Sequence, residues 1–323
     1  MTPRSLVFAI LACMEVACQG CGRADRAATT GQAHPSASSE KQPPVQPAPA
    51  ASPSSTNASP ASAADTPDSG VSESDAGLEC PPEMARLSQT CIDRWEATLV
   101  SRDDAGTEVA HPHFERPAAG VIYEARSVPG VFPQAYISRV EAAAACKQAG
   151  KRLCSMGEWQ RGCQGRRWWT WPYGPQARAG KCNNAKPHLL SSMYGSNGQA
   201  WKYDEHFNSP ALDQEPGFLA KTGEYDGCAN EERIYDMVGN LHEWVRDSVD
   251  DALVEKLAQE DVERKPQPSR TGNGIFMGGF FSTTSEHGPG CKFTTIAHEP
   301  TYHDYSIGFR CCRSIPKAKR PGK

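Results

Sequence analysis

The chain has 323 residues, with 34 Lys and Arg against 38 Asp and Glu and a formal net charge of −4. That balance offers neither the basic patch of a nucleic-acid binder nor a strongly acidic face. Thirteen cysteines are many for a chain kept in a reducing compartment, and their number points to disulfides and an oxidising one.

At the N-terminus, Arg4 precedes a short apolar run from Leu6 to Ala12 that ends at Cys13. Ile10-Leu11-Ala12-Cys13 resembles a bacterial lipobox, in which the cysteine is lipidated. Cys18 is a second candidate, although Glu15 fits its minus-three position poorly. Residues 1–21 therefore read as a signal and lipobox region, far too short to span a membrane. The expectation is an exported cell-envelope lipoprotein, on the periplasmic or outer-membrane face and touching the membrane only through its lipid. Cys18-x-x-Cys21 reads as part of that processing region rather than as a redox or metal pair. Residues 22–77 are dominated by Pro, Ala, Ser and Thr. Such a segment cannot bury enough apolar surface to offset its ordering entropy, and it reads as a flexible tether. Residues 317–323 form a basic tail.

One domain is expected over 78–316. Cys80 and Cys91 bracket a hairpin-like stretch, and Cys91–Leu99 alternates as a single strand would. Ser138 with Glu141, and Ser155 with Glu158, are capping boxes. With Gly150 and Gly165 as stops, they predict helices over about 139–149 and 156–164. Regular structure is hard to read from Pro172 to Gly227, and loops that long need disulfides or a bound ion to hold them. Residues 250–263 have helical composition. Gly278-Gly279-Phe280-Phe281 is expected to open a strand, and Ser306–Cys312 to form another.

The stretch from Arg233 to Asp247 reads R-I-Y-D-M-V-G-N-L-H-E-W-V-R-D. Asp236 and Glu243 flank the turn formers Gly239 and Asn240 in an apolar shell. Carboxylates on a bent backbone suit a hard cation such as calcium, although this is not an EF-hand loop. Spacing alone favours the plainer alternative, a buried loop whose carboxylates cap backbone N–H groups. His111-x-His113, and His298 with Glu299 and His303, lack the spacing of a helical metal motif, and Pro300 opposes a helix there.

D-M-V-G-N-L-H-E-W resembles the formylglycine-generating enzyme (sulfatase-modifying factor) signature D-M-x-G-N-V-W-E-W. Four further blocks resemble that family in the same order: I-D-R-W-E-A-T, G-K-R-L-C-S-M-G-E-W, W-P-Y-G and G-F-R-C. The resemblance implies an α+β fold related to C-type lectins, low in regular secondary structure and stabilised by disulfides. It implies the pairs Cys146–Cys311 and Cys163–Cys291, each closing a loop worth about 4–5 kcal/mol in the chain-entropy model. Proximity in sequence suggests Cys80–Cys91, and Cys154, Cys182, Cys228 and Cys312 stay open. The resemblance also implies structural calcium. One site would use the side chains of Asp236 and Glu243 with the carbonyls of Gly239 and Leu241. A second would use the Asn183 side chain and the Asn184 carbonyl, with further ligands near Asp213.

The family's oxidase members bind copper through two cysteines, and those positions are Thr283 and Gly288 here. The active-site asparagine position is Ser306, and the serine of G-G-S is Phe280. Cu(I) requires soft thiolate ligands, so copper is not expected. Thr283 has no His or Lys placed by spacing to activate it as a nucleophile. The leading expectation is a calcium-stabilised, lipid-tethered module that binds a ligand or an extracytoplasmic protein. Phe280, Phe281, Trp168 and Trp169 are candidates to line its surface. The alternative is a divergent metal- and O2-dependent oxidoreductase, of the formylglycine-generating or the non-haem iron type. A disulfide-held scaffold is the plainest reading.

Overall fold

The computed structural model describes residues 79–316. The signal-like region with Cys13 and Cys18, the tether and the basic tail lie outside the described residues.

Three small sheets are built around one another. β1 (Met84–Leu87) and β2 (Thr90–Asp93) form an antiparallel hairpin with Met84 opposite Asp93. β3 (Ala97–Arg102) lies between β4 (Glu108–Ala110) and β5 (Glu124–Ser127) in a sheet of its own. The run Cys91–Leu99 is thus two strands, not one. The chain turns at 94–96, where Ser127 Oγ accepts the Trp95 N–H at 3.1 Å and Glu96 is turned inward, fully buried.

Helix α1 (Arg139–Gln148) starts at Ser138 and α2 (Met156–Gln164) at Ser155, each with both halves of its capping box formed. Gly150 and Gly165 follow with φ of +67° and +63°, a backbone that L side chains rarely adopt. The alanines of α1 let it lie close to its neighbours, and Ala142, Ala145 and Cys146 are buried against Trp244 and Phe309. α2 drives Trp159 and Cys163 into a second core region with Ile92, Met237 and Met277. Between these helices runs β6 (Arg152–Leu153).

Between 187 and 227 the only described helical pieces are α3 (Leu189–Tyr194), one 3-10 turn and one π turn at Tyr203–Phe207. β7 (His242–Ser248) is followed by α4 (Asp251–Gln259), shorter than its helical composition suggests, and β8 (Gly274–Met277). The strand expected to open at Gly278 ends there instead. Gly278 and Gly279 have φ of +86° and +75° and turn the chain out of β8. β9 (Thr294–Thr295), β10 (Ile307–Phe309) and β11 (Cys311–Ser314) complete the domain. The sheet orders are β1-β2-β11-β6 and β10-β7-β8-β9. Ser306–Cys312 is therefore also not one strand. β10 joins one sheet, β11 joins another, and Arg310 sits at the crossing.

All ten cysteines of the described residues are paired, as Cys80–Cys91, Cys146–Cys311, Cys154–Cys312, Cys163–Cys291 and Cys182–Cys228. Adjacent Cys311 and Cys312 point to opposite faces of β11, as successive strand residues must. They tie α1 and the start of α2 to the same strand.

Candidate functional site

The turn from Asp236 to Glu243 is built by three left-handed residues, Asp236 (φ +59°), Gly239 (+80°) and Asn240 (+56°). A Cβ at position 239 would lie 2.2 Å from the Asn183 carbonyl, so only glycine fits. Asn240 is a fully engaged amide. Its Oδ1 accepts from Ala220 N–H at 2.9 Å and Asn183 Nδ2 at 2.8 Å, and its Nδ2 donates to Glu96 Oε2 at 2.6 Å. The Leu241 N–H donates to Glu96 Oε1 at 3.1 Å. Asp236 Oδ2 accepts the Gly223 N–H at 2.7 Å. Glu243 accepts from Trp159 Nε1 at 2.8 Å and, on both oxygens, from Arg310 at 2.6 and 2.7 Å.

Glu96, Asp236 and Glu243 are thus three buried carboxylates facing one buried guanidinium. Burial, with Asp236 and Glu243 adding repulsion, pushes Glu96 well above the usual carboxylate range. Burial likewise pushes Asp236 up to about 7, although Gly223 and Arg310 favour its charged form. The excess of acid over base must be balanced by protons or by a cation. Arg310 already engages both Glu243 oxygens and Gly223 N–H one oxygen of Asp236, so a divalent ion at Asp236, Gly239, Leu241 and Glu243 would have to share those oxygens. No cluster of three or more His, Cys, Asp or Glu among the described residues has the arrangement of a metal centre. A calcium site of two carboxylates and backbone carbonyls is a different donor set.

The second set of proposed calcium ligands is differently placed. Asn183 Nδ2 donates to the Phe218 carbonyl at 2.9 Å, and Lys186 Nζ donates to the same carbonyl at 2.7 Å. Asp213 is found in another environment, near Tyr136 and Asp304, with both carboxylate oxygens buried and unpartnered.

Thr283 and Ser306 line one open cavity of about 360 Å³, together with Phe280 and His242. All four depart from the family signature: Thr for the copper cysteine, Ser for asparagine, Phe for serine, and His for the tryptophan of G-N-V-W-E-W. Gly288 adjoins His287 on the cavity wall. Thr283 is buried and its Oγ1 donates to the Phe280 carbonyl at 2.8 Å, so it is a satisfied structural hydroxyl. Cys291, the nearest cysteine in sequence, is bonded to Cys163. The donor set therefore does not fit Cu(I).

His188, His287 and His298 also face the cavity. Burial holds all four imidazoles below the ordinary histidine range, His242 furthest, with His298 and His287 adding repulsion. His242 lies 4.7 Å from the Phe276 ring, 5.2 Å from Phe280 and 5.5 Å from Phe293, centre to centre. Its Nδ1, like that of His287, is buried without a partner. Asp304 closes the floor, accepting from Tyr302 Oη at 2.6 Å and from Ser306 Oγ at 2.7 Å.

The five sequence blocks fall on the β2–β3 turn, β6 with the start of α2, the turn at Trp171–Gly174, the Asp236–Trp244 turn and the β10–β11 crossing, and of them the Asp236–Trp244 block reaches the cavity through His242. The sequence model of the sulfatase-modifying factor enzyme 1-like domain matches residues 93–315. The chain belongs to this family. Its fold is the mixed α and β fold of the sulfatase-modifying factor domain. The structure is similar to PvdO from Pseudomonas aeruginosa, at 18% identity and TM-score 0.41, covering 77% of this chain and 89% of that one. It is also similar to CarF, at 16% identity and TM-score 0.38, covering 71% and 88%. The Treponema denticola variable protein 1 aligns at 14% identity and TM-score 0.42, covering 72% and 91%. No functionally curated protein matches the chain.

In this sulfatase-modifying factor domain, several site residues were not singled out from sequence: His242, His287, Asp304, Glu96 and Arg310. His242 carried a signal as the one polar substitution inside the signature, and Glu96 and Arg310 carried one as members of the I-D-R-W-E-A-T and G-F-R-C blocks. Of the four aromatics proposed as a binding surface, only Phe280 lines the cavity. Phe281 is fully buried, Trp168 is 64% exposed elsewhere, and Trp169 lies under Arg167, 4.7 Å from the guanidinium. His111 and His113 bond the carbonyls of Glu115 and Asp213, and His303 bonds Thr301. They belong to no shared site with His298.

Proposed function

We propose that this domain is a ligand-binding member of its family, in which the cleft no longer performs copper-dependent oxidation of a cysteine. The observation that carries this reading is convergence. His242, Phe280, Thr283 and Ser306, four departures from the family signature, meet in one cavity. The walls are aromatic and the imidazoles are neutral, so the cleft suits a small uncharged ligand with an aromatic face. Such a ligand stacks on Phe276, Phe280 and Phe293 and packs against the imidazole of His242. An aromatic side chain presented by an extracytoplasmic protein has the same chemistry. Export, a lipid anchor at Cys13 or Cys18 and calcium at the Asp236–Glu243 turn complete the proposal.

The test is saturation-transfer NMR with indole and 4-ethylphenol as probes, on the wild type and on His242→Trp, which restores the family residue. The expected result is transfer to the probes from the wild type and its loss in the variant. Absence of transfer in the wild type, or equal transfer in both, contradicts the reading. A divergent O2-dependent oxidoreductase is the second reading. It is supported by the neutral imidazoles, since imidazole binds a metal only when unprotonated.

A further inference from the structure

The carbonyls of Gly217 and Phe218 are gathered by nitrogen donors. Lys186 Nζ donates to Gly217 O at 2.6 Å and to Phe218 O at 2.7 Å, and Asn183 Nδ2 donates to Phe218 O at 2.9 Å. Asn183 is the residue that the family resemblance assigns to a second calcium ion. Calcium takes six to eight oxygen ligands. Here the oxygens beside Asn183 already accept hydrogen bonds, and an ammonium stands among them.

We propose that the Lys186 ammonium is a built-in cation that replaces the second divalent ion, so that this part of the fold closes without metal. The lysine is rigidly placed for that role. Its own N–H donates to Phe281 O at 2.9 Å, and the Ala185 N–H donates to Thr283 O at 2.9 Å. Ala185 holds a left-handed backbone, φ +57°, that brings the two bonds into line. The same segment therefore pins both the 217–218 carbonyls and residues 281–283, of which Thr283 lines the cleft. Lys186 is half-buried, and the Tyr225 ring lies 5.7 Å from its ammonium. One polar atom still lacks a partner: Asn183 Oδ1 is buried and free. It is the remnant that an ion would satisfy, and removing the lysine should make room for one.

Native mass spectrometry of the full chain in saturating calcium tests this by counting ions. Lys186→Asn should bind one calcium more than the wild type, and its unfolding midpoint should fall by a few degrees in chelator and recover in calcium. Asn183→Ala in the wild-type background should leave the calcium count unchanged, which keeps the test usable if the lysine variant does not fold. An equal count in the wild type and Lys186→Asn overturns the proposal. So does the loss of one calcium in Asn183→Ala.

Discussion

Arg310 joins parts of the chain that are far apart in sequence. Fully buried, it grips Glu243 with two hydrogen bonds and donates to the carbonyls of Asp93 and Tyr235 at 3.1 and 2.9 Å. Its value lies less in the pair itself than in what its removal leaves behind. Glu243 would then lose its paired guanidinium in a buried space that it shares with Glu96 and Asp236. Arg310→Ala should therefore cost about 3–5 kcal/mol, read as a fall in the urea midpoint of unfolding. Arg310→Ala combined with Glu243→Gln should cost less than the sum of the two, because one uncompensated charge is gone. A loss below about 1 kcal/mol for Arg310→Ala contradicts this picture. From sequence, Asp236 and Glu243 were visible as a pair because the motif places them on one turn. Arg310 and Glu96 were not, because their partners lie more than sixty residues away in the chain.

At the scale of elements, the two capped helices were the most legible features, since their start signals are local. Ser138 with Glu141 and Ser155 with Glu158 form their boxes between residues three apart in the chain. The strands were misjudged where a buried group interrupts the alternation: Glu96 in Cys91–Leu99, and Arg310 in Ser306–Cys312. The cap of α2 makes a pH prediction. Although burial opposes ionisation, the Arg152 fork, the Ser155 N–H and Thr90 hold Glu158 down at about 2. A carboxylate depressed in the folded state contributes stability above its unfolded pKa of about 4.3. That contribution fades as pH falls from about 4.3 toward 2. Glu158→Gln should therefore lower stability by about 2 kcal/mol at pH 7. The gap should narrow when unfolding is measured near pH 2.5. A gap of constant size across that range contradicts the assignment.

For the whole molecule, little regular structure is held by long covalent closures. Cys146–Cys311 and Cys154–Cys312 span 165 and 158 residues and meet on one strand. Cys163–Cys291 spans 128 and fixes α2 beside the cleft. These ties hold the family frame around a cavity lined by residues that depart from the signature. That separation explains what the sequence made legible. The frame is written in local motifs and cysteines. The new contents of the cleft come from residues scattered between His188 and Ser306, which only the fold brings together. The most direct measurement supplies the purified full chain with copper, reductant, O2 and a peptide bearing the sulfatase cysteine motif, and uses mass spectrometry to look for formylglycine. With Thr283 and Gly288 at the copper positions and every cysteine of 79–316 in a disulfide, conversion should not rise above the copper-only control. Conversion above that control would contradict the account and place a reduced thiol in the cleft.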